Sequence, residues 1–476
     1  MENSDINDFV LLFEQRFIAE IDSFEILLSS GSYREYCRMQ NYGLSVIGAF
    51  NADVKENAAF FSLTKHFRSQ GIPVPEVYVV SSDQKKYLLE DLGDTTLFDF
   101  LVKVREKEGF SEKIINEYKK ALKLLPKLQV VAGKDLDYSV CYPRAAFDSQ
   151  SMMWDLNYFK YYFLKLARVP FDEQALEDDF REFSNYLLGA DSEYFMFRDF
   201  QSRNIMLKNK AVYFIDYQGG RRGALQYDLA SLLYDGKADI PEQVRKELFD
   251  FYLKELKEYL PINEDEFSAY FKGFALIRIM QAMGAYGFRG FYEKKEHFLK
   301  SIPYALKSLK FLLDDLNLPV HLPELTRVLQ ELTKSEVLGN IGCVNSVLTV
   351  NINSFSYKNG IPEDPSGNGG GFVFDCRALN NPGRYDQFKN LTGKDFEIQR
   401  FIEQNSEINI FIDSVKMLVE QSVKVYLERG FSNLSISFGC TGGRHRSVYS
   451  AEKLAEHLKN NFPVSVVVTH RELERG

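Results

Sequence analysis

The spacing of apolar positions changes several times within the first ninety residues. "DINDFVLLFEQRFIAEI" repeats at helical spacing, and "FEILLSSGSYREYCRMQNYGLSVIGAF" then takes on strand character around a Ser/Gly turn. "ENAAFFSLTKHFRSQG" predicts a helix with a glycine stop, and "VPEVYVV" and "KYLLEDLG" predict two further strands. From about residue 94 to 318 the pattern is mainly helical, broken at "FMFRDFQSRNIMLKNKAVYFIDYQGG". The stretch "NLPVHLPEL" sets Pro319 and Pro323 close together and predicts a linker over 319–338. Beyond it "SVLTVNINSFSY", "GGGFVFDCRAL" and "LSISFGCTGG" are strand-like, with helical stretches between the last two and after them. The expected layout is a sheet-rich lobe over 1–93, a helical lobe over 94–318, the linker, and a separate α/β domain over 339–476.

Composition fits this layout. A chain of 476 residues is too long for one ordinary core, and 45% hydrophobic with 26% charged residues is globular usage. No run of about eighteen apolar residues appears, and "MENSDINDF" has no basic segment followed by an apolar one, so the expected setting is cytoplasmic with no membrane partner. The five cysteines, Cys37, Cys141, Cys343, Cys376 and Cys440, are scattered without metal-type spacing, which suits a reducing compartment and argues against structural zinc. A net charge of −9 gives no global support to non-specific nucleic-acid binding.

Two stretches carry chemistry. In "FRDFQSRNIML…YFIDYQ", Asp199, Asn204 and Asp216 supply a carboxylate and two further oxygen donors, the set phosphoryl transfer needs beside an acceptor hydroxyl and around a divalent cation. A polar hairpin is the plain alternative for Asp199 and Asn204 alone; the strand ending in "IDY" favours the catalytic set. In "FGCTGGRHRS", a glycine-rich turn opens a helix where a strand ends, so Gly439, Cys440, Thr441, Gly442, Gly443, Arg444, His445, Arg446 and Ser447 could cradle a phosphate with backbone N–H groups and charged donors. The Cys440-x5-Arg446 spacing is also that of a phosphatase nucleophile, so holding and cleaving a phosphoester both stand open at this point.

"SGSYREYCRM", "GIPVPEVY", "LLEDLGDTTLFDFL", "RDFQSRNIM" and "FIDYQGGRRGALQYDLASLLYD" together resemble the aminoglycoside phosphotransferase superfamily, and within it the anomeric sugar kinases of the N-acetylmuramate/N-acetylglucosamine (AmgK-like) type. The resemblance implies a bilobal, protein-kinase-like α+β fold that uses ATP and Mg2+ to phosphorylate an amino sugar at its anomeric hydroxyl. Asp199 would be the catalytic base and Asn204 and Asp216 metal ligands; Ser30, Gly31, Ser32 and Tyr33 would lie over the phosphates, and Glu90 to Leu92 would meet the adenine. Arg198 and Arg203 are candidates for substrate or phosphate contact, and Asp228 would brace the catalytic loop. The family's His-Gly before the Asp is Phe197-Arg198 here, and "LSVIGAF" lacks the family's ATP-binding lysine, a charge that Arg34, Arg38 or another basic residue would cover. Two other readings follow: a pseudokinase adapter presenting its C-terminal domain to RNA or protein, and an antibiotic phosphotransferase.

"INSFSYKNGIP", "FVFDCRALNNP", "LTGKD", "SISFGCTGGRHRSVYSAEKLAEHL" and "VVVTHRELER" resemble the C-terminal domain of RapZ, the RNase adapter protein. This implies that the "GCTGGRHRS" loop holds a sugar phosphate of the glucosamine 6-phosphate type, with Asp375, Arg377 and His470 as weaker candidates for sugar contacts. It favours sensing over hydrolysis. It also raises RNA as a partner, which 15 Lys and Arg against 16 Asp and Glu over 335–476 do not favour.

Overall fold

The computed structural model describes residues 3–27, 34–341, 348–363, 371–429 and 431–474. It divides into two compact units, Met1–Gly339 and Asn340–Gly476.

The first unit opens with helix Asn3–Phe17, whose Phe9 and Phe13 are fully buried against Cys37, Met39, Val46 and Leu88 of an antiparallel sheet. That sheet contains β1 (Ser23–Leu27), β2 (Glu35–Asn41), β3 (Leu44–Phe50), β4 (Val77–Val80) and β5 (Lys86–Glu90), in the order β1-β2-β3-β5-β4. β2 turns into β3 through Tyr42 and Gly43, both at positive φ, the backbone twist a two-residue hairpin requires. Between β3 and β4, helix Val54–Ser69 starts at Asp53, whose carboxylate accepts the Lys55 and Glu56 N–H groups. Its Phe60 stacks on Tyr217 of the helical lobe, with ring centroids 5.3 Å apart, so this helix ties the sheet to the segment that follows Asp216.

The helical lobe is interrupted by two short hairpins: β6 (Tyr194–Met196) pairs with β9 (Arg221–Gly223), and β7 (Ile205–Lys208) with β8 (Ala211–Phe214). Helix Leu225–Leu233 packs on β6, and the 24-residue helix Glu264–Gly287 packs on that helix in turn. The expected linker at 319–338 is corrected: it contains helix Pro323–Lys334, which packs on helices Glu173–Leu187 and Ile302–Asp314. Its Leu325, Val328, Leu329 and Leu332 are buried, each contributing about 1.5–3 kcal/mol. Pro323 serves as a helix starter, because the first turn has no N–H partner to lose.

The second unit is an α/β domain built on a four-stranded sheet of β10 (Thr349–Ser356), β11 (Gly371–Asp375), β12 (Asn433–Cys440) and β13 (Ser465–His470), all parallel, in the order β11-β12-β10-β13. β13, from "SVVVTH", is a fourth strand beyond the three expected. The paired registers bring Ser356, Asp375, Cys440 and His470 to the same carboxyl edge, where α/β sheets place ligands.

Candidate functional site

Asp199, Asn204 and Asp216 come together in the first unit. The Asn204 amide donates to the Asp199 carbonyl at 2.9 Å and to the Asp216 carboxylate at 3.4 Å. Its Oδ1 takes no hydrogen bond among the described residues. Asp216 sits at φ +67°, a strained turn that swings its carboxylate back toward the loop. Burial pushes its carboxyl above the ordinary range, and the Asp199 charge adds to this while Gln218, donating at 2.7 Å, and Arg34 oppose it. The Asp216 side chain nevertheless remains 47% exposed, so its oxygens can be reached from solvent. A divalent cation held by one or two carboxylates, an amide oxygen and substrate phosphates fits this donor set, and the cation would favour the ionised carboxyl.

The loop is fixed from beneath. Asp228, fully buried, accepts the Phe197 and Arg198 N–H groups at 2.8 and 3.0 Å and the Gln129 amide at 3.0 Å. Burial raises its carboxyl to about 7 against these hydrogen bonds. Arg198 does not face a substrate position. At φ +84° its guanidinium forms two bonds to Asp155 at 2.7 and 2.6 Å and lies over the Phe147 and Tyr227 rings, so both ends of the pair are committed to holding the loop. Arg203 is exposed over the Phe98 ring.

Three more residues belong to this site. Arg278, from helix Glu264–Gly287, is buried, bonded to Ser231 and Gln281, and 3.8 Å from Asp199. Arg34, 5% exposed at its side chain, lies 3.1 Å from Glu56 of helix Val54–Ser69 and 4.0 Å from Asp216. Arg38 is instead consumed by Asp91 and Asp94 at 2.7 and 2.6 Å. Of the two basic residues named as substitutes for the absent lysine, Arg34 approaches Asp216 and Arg38 does not. Glu56 and Arg278 lie far from the loop in sequence and sit in ordinary helical patterns; the apolar run around Arg278 is its only local signal. At the expected adenine stretch, the Glu90 N–H bonds the Glu76 carbonyl, Lys208 bonds both the Glu90 carboxylate and the Asp91 carbonyl at 2.8 Å, and Leu92 is buried. Ser30, Gly31, Ser32 and Tyr33 lie outside the described residues.

In the second unit the "GCTGGRHRS" residues separate into two groups. Cys440 and Ser447 face inward: Sγ and Oγ are 3.2 Å apart, and the sulfur accepts the Gly443 N–H. Gly439 packs where a Cβ would meet the Tyr357 ring at 2.4 Å, and Gly443 is at φ +68° with a Cβ position 2.3 Å from Glu472. The His445 ring contacts the Phe388 carbonyl at 3.1 Å, and burial holds it below its ordinary value. Thr441, Gly442 and Arg444 are exposed. Arg446 is buried with Nη1 on the Arg377 and Leu379 carbonyls at 3.0 and 2.8 Å, while its Nε is buried without a hydrogen-bond partner. Beside it opens a cavity of about 680 Å³ lined by Arg377, Asn381, Arg384, Thr441 and Arg446, among others. Cys440 is not among its lining residues, and the Arg446 guanidinium is bonded to the Arg377 and Leu379 carbonyls. Asp375 pairs with Arg377 at 2.7 Å at the mouth. His470 lies beneath, buried between Ser354 and Glu452, each at 2.8 Å, and so is removed from any sugar contact.

Residues 50–262 match the phosphotransferase enzyme family (APH), and residues 348–474 match the RapZ C-terminal domain. A nucleotide-binding protein of Endomicrobium trichonymphae is 38% identical over 128 residues, 27% of this chain and 42% of that one. One of Thermotoga neapolitana is 40% identical over 128 residues, 27% of this chain and 43% of that one. The chain thus spans about two fifths of the length of these relatives. Among solved structures, choline kinase LicA from Streptococcus pneumoniae is 15% identical with a TM-score of 0.43, covering 66% of this chain and all 100% of that one. Amicoumacin kinase hAmiN is 12% identical with a TM-score of 0.44, covering 72% and 97%. Among the described residues no helix is long and apolar enough to cross a membrane.

Proposed function

We propose that this chain, which carries a phosphotransferase-family segment and a RapZ C-terminal domain, transfers the γ-phosphoryl group of ATP to the anomeric hydroxyl of an amino sugar of the N-acetylmuramate/N-acetylglucosamine type. The observation that carries this reading is the Asn204 amide bonded to both the Asp199 carbonyl and the Asp216 carboxylate, which gathers a base and two metal-type donors at one accessible point. Asp199 takes the hydroxyl proton as the sugar oxygen bonds to phosphorus and ADP leaves. Arg278, at 3.8 Å, sets a positive charge beside that carboxylate. Asn204 and Asp216 would hold Mg2+, which supplies charge neutralisation at the phosphates. Arg34, anchored by Glu56, adds the positive charge that the lysine-free β3 lacks. Positioning and electrostatics supply most of the rate, since the protein does little covalent chemistry.

The second unit binds a sugar phosphate, of the glucosamine 6-phosphate type, in the Arg377–Arg384–Thr441–Arg446 cavity. The inward Cys440 favours holding the phosphoester over cleaving it. The occupied cavity adjusts kinase turnover, a coupling that requires each ligand to change the other's affinity. A cytoplasmic setting goes with these ligands.

The test is ATP consumption by the purified full chain over N-acetylmuramate, N-acetylglucosamine, glucosamine and an aminoglycoside, with Asp199→Asn as control. Turnover on an N-acetylated sugar that the variant abolishes is the expected result; turnover confined to the aminoglycoside, or unaffected by the substitution, contradicts the reading.

A further inference from the structure

Arg203, Lys237 and Lys300 stand on three separate segments: the catalytic-loop turn Ser202–Asn204, the turn Gly236–Ala238, and the residue following helix Glu296–Leu299. None of the three has a carboxylate partner among the described residues. Lys237 is half-buried and donates to the His297 carbonyl at 2.9 Å, and Arg203 rests on the Phe98 ring at 4.7 Å. Asp235, whose charge opposes that of the other cations on Lys237, is engaged by the Ser202 N–H and hydroxyl.

The Ser202–Asp235 hydrogen bonds tie the first two segments together, and the Lys237–His297 contact ties the third to them. Burial, then the charges of Arg203 and Lys300, hold the Lys237 ammonium down to about 8, and the His297 ring is depressed by burial and then by Lys237 and Arg203. The group also adjoins the reacting centre. Arg203 directly precedes Asn204, and a Cβ at Gly236 would sit 3.1 Å from the Tyr286 hydroxyl, which shares helix Glu264–Gly287 with Arg278. Surface cations normally separate into solvent. Three on these tied segments, against the single carboxylate of Asp235, leave a net positive charge that a bound anion balances.

We propose that Arg203, Lys237 and Lys300 form an anion subsite for the acceptor, so that the sugar carries a carboxylate or phosphate besides the hydroxyl that is phosphorylated. This rests on the kinase reading and narrows it: cationic acceptors are repelled, and neutral ones forgo a charge-assisted contact.

The experiment measures kcat/KM of the full chain for N-acetylmuramate, for N-acetylglucosamine as its uncharged counterpart, and for N-acetylglucosamine 6-phosphate, in wild type, Lys237→Met and Lys300→Gln. An anionic acceptor should exceed the neutral one by about tenfold or more, and the two anions show whether carboxylate or phosphate fits. Each variant should lose at least about tenfold more on the preferred anion than on the neutral sugar, chiefly through KM. Equal losses, or a wild type that prefers the neutral sugar, overturn the subsite. Should wild type turn over none of them, the kinase reading fails separately, and calorimetric titration of the same sugars in the presence of ADP decides the subsite. Tighter binding of an anionic sugar that is lost in either variant supports it, and absence of discrimination refutes it.

Discussion

Arg34→Met removes a buried cation that the fold places beside Asp216. The guanidinium stands 3.1 Å from Glu56 and 4.0 Å from Asp216, with only 5% of its side chain exposed. At 4 Å and an effective dielectric constant of about 20, a unit-charge interaction is worth about 4 kcal/mol. Solvent screens the contact, since the Glu56 and Asp216 side chains are 31% and 47% exposed, so truncating the buried arginine costs about 1–3 kcal/mol. The expected effect is therefore a fall in kcat/KM for ATP on the order of 10–10²-fold. Arg34→Lys should recover part of it, and urea unfolding should separate lost stability from lost nucleotide contact. Initial rates against ATP at saturating acceptor, with fluorescence-monitored ADP binding, are the assay. If Arg34→Met keeps kcat/KM for ATP within about threefold of wild type, Arg34 does not replace the missing lysine.

Other substitutions probe the rest of the account. Asp228→Ala leaves the Phe197 and Arg198 N–H groups and the Gln129 amide without their acceptor, and should cost about 1–3 kcal/mol of stability for each group left unsatisfied, with turnover falling as the loop loosens; unchanged chemical denaturation would contradict the bracing role. Cys440→Ser should leave sugar-phosphate binding within about threefold by calorimetry, since the thiol faces Ser447 and not the cavity; a phosphate-release activity that disappears in this variant would restore the nucleophile reading. The pH profile offers a further check. Lys237, facing Arg203, Lys300, His297 and Asp235, is cationic below about 8, so kcat/KM for an anionic acceptor should hold below that pH and decline above it, a limb absent for a neutral acceptor.

What was readable in the sequence was local. Asp199, Asn204 and Asp216 lie within eighteen residues of one another, and strand-turn-strand spacing alone brings them together. The alternation of β10 to β12 and the glycine turn after β12 were legible for the same reason. Tertiary geometry decided the rest. Arg198 and Arg203 look equivalent along the chain, yet the first is tied to Asp155, 43 residues away, and the second has no ion-pair partner among the described residues. Arg278 and Glu56 reach the site only because two helices pack around the loop. His470 and Cys440 carry reactive groups at suggestive spacings, but strand register turns both inward, where Ser354 and Ser447 satisfy them. Pro323 read as linker punctuation because proline marks loops and helix starts alike, and only the buried face after it distinguishes them.

Phosphorus NMR of the product tests the central claim most directly. After incubation of the full chain with ATP, Mg2+ and an N-acetylated amino sugar, the account predicts a new phosphomonoester coupled to the anomeric proton, absent with Asp199→Asn. A phosphoester coupled to any other sugar proton, or ATP left intact with every acceptor, would contradict it.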